Sequence, residues 1–231
     1  MREMIFKDRH DAGRRLAEAL AKKGYQKQPV IILGIPRGGV VVAEKIADTF
    51  SAQLDVVIVR KIRAPYQPEL GIGAVVDGDN ISIINEEIVR MLGVSQDYLN
   101  NEIAYQKEEI DRRLRLYRGN RPPPDITGKN VVVVDDGIAT GYTFRAALEG
   151  LRRRNPAKLI TAVPVAARSS IDMVSAFSDE VVCLSVPESF IAVGSWYLDF
   201  SQVGDEEAVE ILRRNWARFE LQGPSGVQEN I

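Results

Sequence analysis

Four consecutive valines, Val131 to Val134, followed at once by two carboxylates and a small-residue turn, constrain this chain more than any other stretch. An uninterrupted β-branched run reads as a strand buried on both faces, which needs cover on either side of a largely parallel sheet. The residues after it, Asp135-Asp136-Gly137-Ile138-Ala139-Thr140-Gly141-Tyr142-Thr143, read as a tight loop, and from Thr143 a helical pattern runs until Asn155-Pro156 stops it. The predicted order is strand, loop, helix N-terminus. Such a loop offers backbone N–H groups and the positive end of a helix dipole to an anion. The Thr140 and Thr143 hydroxyls are further donors, and Gly141 allows close approach. Asp135 and Asp136, at the carboxyl end of the strand, would accept hydrogen bonds from vicinal hydroxyls, so a phosphorylated sugar suits both halves. An ordinary buried strand with an acidic turn is the plainer alternative. The chain has neither a Walker lysine motif nor a G-x-G-x-x-G fingerprint, which argues against a nucleoside-triphosphatase or a dinucleotide fold.

The same handover occurs earlier. Val30 to Leu33 reads as a short buried strand running into Gly34-Ile35-Pro36-Arg37-Gly38-Gly39, before a helix over Val40 to Thr49. Arg37 beside paired glycines puts a cation at the end of a strand, where α/β proteins gather their ligands, although a ligand-free turn uses glycines equally well. Leu54 to Val59 reads as a third strand with Arg60, Lys61 and Arg63 behind it, either a solvated strand end or an anion site. Ala64 to Gly73, broken by prolines and glycines, reads as a mobile loop. Ala74 to Val76 and Ile81 to Ile84 flank Asp77-Gly78-Asp79-Asn80 as a hairpin would.

Helices are expected over Asp8 to Lys23, where the spacing marks an amphipathic packing helix, and over Ser95 to Tyr117, whose acid-to-base pairs four apart mark a solvated face. After the central helix come a strand over Leu159 to Val165, a helix over Ser169 to Phe177 with a Ser-x-x-Asp start, a strand over Val181 to Val186, and a closing helix over Glu206 to Phe219. The fold class is α/β, a mainly parallel sheet flanked by helices. One domain is expected over residues 1–222, with a helical insertion at about 85–120 that packs on the core or forms a subunit contact, and a flexible tail over 223–231.

Charge and composition narrow the functional classes. The net charge is −2, without a basic run, which argues against a nucleic-acid partner. No stretch approaches the ~18 apolar residues of a membrane span, so a cytoplasmic protein without a membrane partner is expected. The one cysteine, Cys183, lies in the apolar run VVCLSV and reads as a buried strand residue, with a reactive thiol as the alternative. With a single histidine, His10, distant in sequence, a zinc site or a Cys/His nucleophile is poorly supported.

The stretch Val131 to Thr143 resembles the phosphoribosyl diphosphate (PRPP) motif of the type I phosphoribosyltransferases, and Asp135 to Thr143 match it throughout. The resemblance extends over roughly residues 30 to 200. It implies transfer of a 5-phosphoribosyl group from PRPP to a nitrogenous base, with magnesium (Mg2+) as cofactor and pyrophosphate as product. By this resemblance Asp135 and Asp136 hold the ribose hydroxyls, and Ala139, Thr140, Gly141, Tyr142 and Thr143 hold the 5′-phosphate. Arg37, Gly38 and Gly39, with Arg60 and Lys61, hold the pyrophosphate. Arg37, Lys61, Asp135 and Asp136 are then the catalytic group. The resemblance also implies a non-proline cis peptide in the glycine loop, with Arg37-Gly38 as the candidate bond, a flexible loop closing over PRPP, and a homo-oligomer, a dimer.

The C-terminal stretch Pro187 to Ser201 resembles a hood-like segment of the purine enzymes, with Phe190 as the base-stacking aromatic and Trp196 or Tyr197 as alternatives; a core-packing loop is the plainer reading. By the same resemblance Asp199, with Asp136, lies toward the metal. Hypoxanthine-guanine enzymes carry an aspartate where this chain has Ala139, and the strand ITAVPVAAR lacks their lysine, which argues against a 6-oxopurine. The acceptor therefore stays open between a purine base and another nitrogen nucleophile. Two further readings remain: a regulator that senses PRPP or a nucleotide, and a hydrolase of PRPP or sugar phosphate.

Overall fold

A computed structural model describes residues 5–78 and 81–222 of the chain. The valine run lies where its composition requires. β6 (Asn130–Val134) is the central strand of a five-stranded sheet of order β2-β1-β6-β7-β8, with β1 at Val30–Gly34, β2 at Gln53–Val56, β7 at Lys158–Val165 and β8 at Glu180–Ser185. Every pairing in it is parallel. Val132 and Val134 face a core built with Leu16 and Leu20 of α1 (Arg9–Lys22), Val42 and Ile46 of α2 (Gly38–Phe50), and Ala208 and Leu212 of α7 (Asp205–Gln222). Val131 and Val133 face the opposite way, toward Phe144, Leu148 and Leu151 of α5 (Tyr142–Arg152) and Val174 of α6 (Arg168–Ser175). Cover on both faces is why no polar residue interrupts the run. The expected α/β class, a parallel sheet flanked by helices, is what the chain adopts.

Chain order reverses between β1 and β6. From β1 the chain moves outward to β2, and from β6 it moves the other way through β7 to β8. The crevice at such a reversal, beyond the carboxyl ends of the strands, is where open α/β sheets receive ligands. Both loops singled out in the sequence, 35–38 and 135–141, open there.

A second sheet, of order β3-β4-β5, is antiparallel and corrects two expectations. The strand expected over Leu54 to Val59 is two: β2 ends at Val56, and β3 (Val59–Ala64) belongs to the other sheet. The mobile loop expected over Ala64 to Gly73 is mostly strand, since β4 spans Gln67–Val76. Ala64 pairs with Gln67 and Arg63 with Gly71, so Pro68 falls in a bulge where no ladder hydrogen bond is required of it. β5 (Ile81–Ile84) completes the expected hairpin; its turn residues Asp79 and Asn80 lie outside the described residues. Ala74 and Val76 join the core around α5.

Residues expected to form an insertion build α3 (Glu86–Met91) and α4 (Gln96–Arg118), and α4 sends Leu99, Ile110 and Tyr117 into the core shared by α1, α2 and α7. The Ser-x-x-Asp start of α6, Ser169 to Asp172, is not its cap, because the helix begins at Arg168 after Ala167, which offers no side-chain acceptor. Cys183 is in β8 as expected, but it is only partly buried; burial pushes its thiol up to about 11, far from thiolate chemistry. No helix among the described residues is long and apolar enough to cross a membrane. The expected tail, 223–231, lies outside the described residues.

Candidate active site

Asp135 and Asp136 leave the end of β6 between two helix N-termini. Asp135 Oδ1 accepts the Asp136 backbone N–H at 2.8 Å, and Asp136 Oδ2 accepts Arg9 Nε at 2.7 Å. Burial pushes both carboxyls above the ordinary aspartate range; the neighbouring Asp136 charge adds to this for Asp135, whereas Arg9 pulls Asp136 back down. The first turn of α2 is pressed onto the pair. A Cβ on Gly39 would lie 2.7 Å from the Val134 carbonyl oxygen and 2.9 Å from Asp135 Cα, and one on Gly38 would lie 1.9 Å from Asp136 Oδ2. Two glycines are therefore the condition for the glycine loop and the acidic loop to meet. The cis peptide expected at Arg37-Gly38 occurs one bond earlier, at Pro36-Arg37.

Helix caps separate this end of the fold from the rest. α1, α3 and α4 each have a side-chain acceptor on their first turn, from Asp8, Asn85 and Ser95. α2 and α5 have none, and neither does α6. The opening N–H groups of α2 and α5 therefore have no side-chain acceptor. Gly141, at φ 80°, turns the chain into α5, and Ala139, Thr140, Tyr142 and Thr143 are exposed around it. The loop is anchored from behind. Ile138 N–H donates to the Val165 carbonyl at 2.9 Å, and the Ser170 hydroxyl donates to the Ala139 carbonyl at 2.5 Å.

The expected cations divide. Arg37 stands at the start of α2, partly exposed. Arg60 and Lys61 are adjacent on β3 and so face opposite sides. Arg60 is held toward α4 by Gln106 at 3.0 Å, and its burial, with Arg113 adding to it, lowers its affinity for a proton. Lys61, whose Nζ donates to the Glu69 carbonyl at 2.8 Å, lines a cleft of about 550 Å3 between the antiparallel sheet and α5. Tyr142 and Thr143 form part of the same wall.

The C-terminal segment behaves differently from the expectation. Trp196 is only 6% exposed and packs with Phe6, Ala12, Val165 and Tyr197, so its ring is core rather than a platform for a base. Tyr197 is buried as well, and its hydroxyl donates to the Asp136 carbonyl at 2.5 Å. Phe190, the other stacking candidate, is partly buried at the edge of that cluster. Asp199 is exposed, and hydrogen bonds from Ser201 hold its carboxyl below the usual range. No group of three or more His, Cys, Asp or Glu side chains suited to a metal ion occurs among the described residues. Sequence reasoning missed Arg9, which sits in the first turn of a helix read as packing. Its contact with Asp136 spans 127 positions, and no local pattern signals it.

An acidic pair at the switch point of a parallel sheet, between a glycine loop and a Thr-Gly turn opening a helix, defines a phosphoribosyltransferase-type protein. The phosphoribosyl transferase domain matches residues 2–200, and the chain belongs to that family. A Mycobacterium tuberculosis protein, Rv0571c, provisionally named a phosphoribosyl transferase, is 41% identical over 212 residues, covering 91% of this chain and 47% of that protein. The chain thus spans about half the length of the curated relatives it matches. Among solved structures, TT1426 from Thermus thermophilus is 44% identical and superposes with a TM-score of 0.80, covering 91% of this chain and 99% of that one.

Proposed function

We propose that the chain transfers the 5-phosphoribosyl group of PRPP to a nitrogenous base. The observation that carries this is the contact of Gly38 and Gly39 with Asp135 and Asp136, which puts two uncapped helix N-termini on either side of one acidic pair. The α5 turn would take the 5′-phosphate and the two acids the ribose hydroxyls. Arg37 and the N–H groups of α2 would take the pyrophosphate, with Lys61 approaching from the antiparallel sheet. A bond forms between a ring nitrogen and C1 of the ribose, and the bond from C1 to the pyrophosphate oxygen breaks, its electron pair leaving with the pyrophosphate. The ring-nitrogen proton goes to solvent, because Ala139 offers no acceptor. A purine other than a 6-oxopurine fits that absence, as does another nitrogen nucleophile.

The donor set does not make a closed metal cage. It fits a magnesium ion arriving with its substrate, for which one or two carboxylates suffice; Asp136 and Asp199 would be the residues that hold it. Magnesium would neutralise the leaving pyrophosphate. Water exclusion falls to the β3–β4 hairpin and the Pro187 to Ser201 segment, which matters because the ribosyl centre becomes cation-like.

Pyrophosphate release from PRPP with magnesium tests this across adenine, hypoxanthine, guanine, xanthine, uracil, orotate and no base, with PRPP binding followed by calorimetry. Release that depends on one base supports the transferase and identifies its acceptor. A second reading, a PRPP sensor, is favoured by Ala139 and by the arginine that already occupies one oxygen of Asp136. Tight PRPP binding without turnover on any base supports it. Absence of both binding and turnover overturns the transferase and sensor readings together.

A further inference from the structure

Arg9 belongs to no part of the motif, yet three parts of the chain converge on it. Its Nε donates to Asp136 Oδ2 at 2.7 Å, its Nη1 donates to the Ser201 carbonyl at 2.8 Å, and its guanidinium carbon lies 3.8 Å from the centroid of the Phe200 ring. A Cβ on Gly38 would approach Nε to 2.8 Å, so the glycine loop is shaped around this side chain as well as around the acid. Only 11% of the Arg9 side chain is exposed. Pairing of two distant segments brings these groups together: Phe6 N–H donates to the Trp196 carbonyl and Leu198 N–H to the Phe6 carbonyl, both at 2.8 Å, and Asp199 N–H to the Lys7 carbonyl at 2.9 Å. Arg9 lies two residues beyond Lys7 and Phe200 one beyond Asp199, at the two ends of that pairing. Asp136 is thereby gripped twice, through its side chain by Arg9 and through its carbonyl by Tyr197.

Arginine suits this position for reasons a lysine does not share. Its planar fork makes two hydrogen bonds in fixed directions while its face stacks on an aromatic ring. A carboxylate has two oxygens, and Arg9 contacts one of them.

We infer that Arg9 is a positioning residue for the sugar: it fixes Asp136 by one oxygen, leaves the other for a ribose hydroxyl, and holds residues 197–201 down beside it. This rests on the phosphoribosyl reading. Arg9 acts through Asp136 on the ribose hydroxyls, so its removal weakens PRPP and ribose 5-phosphate by a similar factor and weakens inorganic pyrophosphate less.

The test measures the affinities of all three ligands by calorimetry, and PRPP KM and kcat on the acceptor that the base panel identifies, for wild type, Arg9→Ala, Arg9→Lys, Phe200→Ala and, as a control on the same helix, Arg15→Ala. Thermal unfolding of each accompanies it. The expected result is a Kd for PRPP raised about tenfold or more in Arg9→Ala, as for loss of a charge-assisted hydrogen bond. KM should rise more than kcat falls, Arg9→Lys should recover part of the loss, Phe200→Ala should show a smaller change of the same sign, and Arg15→Ala should match wild type. Unchanged PRPP affinity in a folded Arg9→Ala overturns the inference, and tighter binding overturns it too, since Arg9 would then compete with ribose. If Arg9→Ala does not fold, Arg9→Lys and Phe200→Ala decide, and unchanged affinity in both overturns it. Wild type that binds PRPP separates these failures from failure of the functional reading; wild type that binds none removes both.

Discussion

Among the described residues, two pairs of aspartates, one buried and one partly buried, are treated by the fold in opposite ways. Asp55 and Asp77, each 2% exposed, flank the buried guanidinium of Arg118, whose Nε donates to Asp55 Oδ1 at 2.7 Å and whose Nη1 lies 2.9 Å from Asp77 Oδ2. Arg118 also donates to the Val56 carbonyl at 2.7 Å, and backbone N–H groups of Val56 and Ile58 donate to the two acids. Burial pushes both carboxyls up and Arg118 opposes it. The result ties β2, β4 and the end of α4 together. At Asp135 and Asp136 burial acts in the same direction, but the cation paired with them among the described residues, Arg9, touches one oxygen of one acid. The first pair is engaged from both sides by one buried cation and by backbone N–H groups, although Asp77 Oδ2 has the charge of Arg118 beside it without an aligned hydrogen bond. The second keeps acceptor capacity that protein contacts do not use, which is the difference between an acid that holds a fold and an acid that waits for hydroxyls.

The sharpest way to break this contrast is Arg118→Met. Removing one partner of a buried ion cluster leaves uncompensated charge and costs about 3–5 kcal/mol. Urea unfolding should show that loss, and adding Asp55→Asn with Asp77→Asn should return part of it. A loss within about 1 kcal/mol would mean that the triad is not what joins the two sheets.

Asp135→Asn with Asp136→Asn should act on ligand rather than on fold. Both charges are disfavoured by burial, so thermal stability should hold or rise. PRPP affinity should fall by about a hundredfold or more, given that hydrogen bonds to charged groups are worth ~1.5–3 kcal/mol each. Calorimetry and circular dichroism on one preparation separate the two. Unchanged PRPP binding would remove the acidic pair from the site.

How much of this was legible depended on chain distance. The strand, acids, turn and helix of Val131 to Thr143 are contiguous, so their period and residue types sufficed to order them. The glycine loop was legible for the same reason, with its cis bond misplaced by a single residue. Arg9 was not, because its partners at Asp136 and Ser201 lie 127 and 192 positions away, and a charged residue in the first turn of an amphipathic helix looks solvated. Trp196 misled in the other direction. An aromatic in an irregular apolar stretch reads as a binding surface until Phe6 and Ala12, from the other end of the chain, are seen to cover it. The β3–β4 hairpin was hidden by prolines and glycines that a bulge accommodates. Arg60 and Lys61 looked like one cluster, although a strand's period of two sends them to different neighbours.

A third kind of carboxylate sharpens the comparison with the smallest effect. Glu180, at the start of β8, receives Lys158 Nζ at 2.8 Å, Lys23 Nζ at 2.8 Å and the Tyr25 hydroxyl at 2.5 Å. Those contacts, the Lys158 hydrogen bond foremost, hold its carboxyl down to about 2 from an ordinary 4.5. For an acid whose value falls on folding, the stabilisation is complete above the unfolded value and is lost as pH drops through the folded one. Glu180→Gln should therefore cost stability at neutral pH, roughly 1 kcal/mol because the group is partly solvated, and the gap to wild type should close between about pH 4.5 and about pH 2. This cluster sits at the amino ends of β7 and β8, away from the loops that hold the candidate site, so PRPP affinity should not move. A gap that stays constant with pH would show that Glu180 contributes by packing rather than by charge.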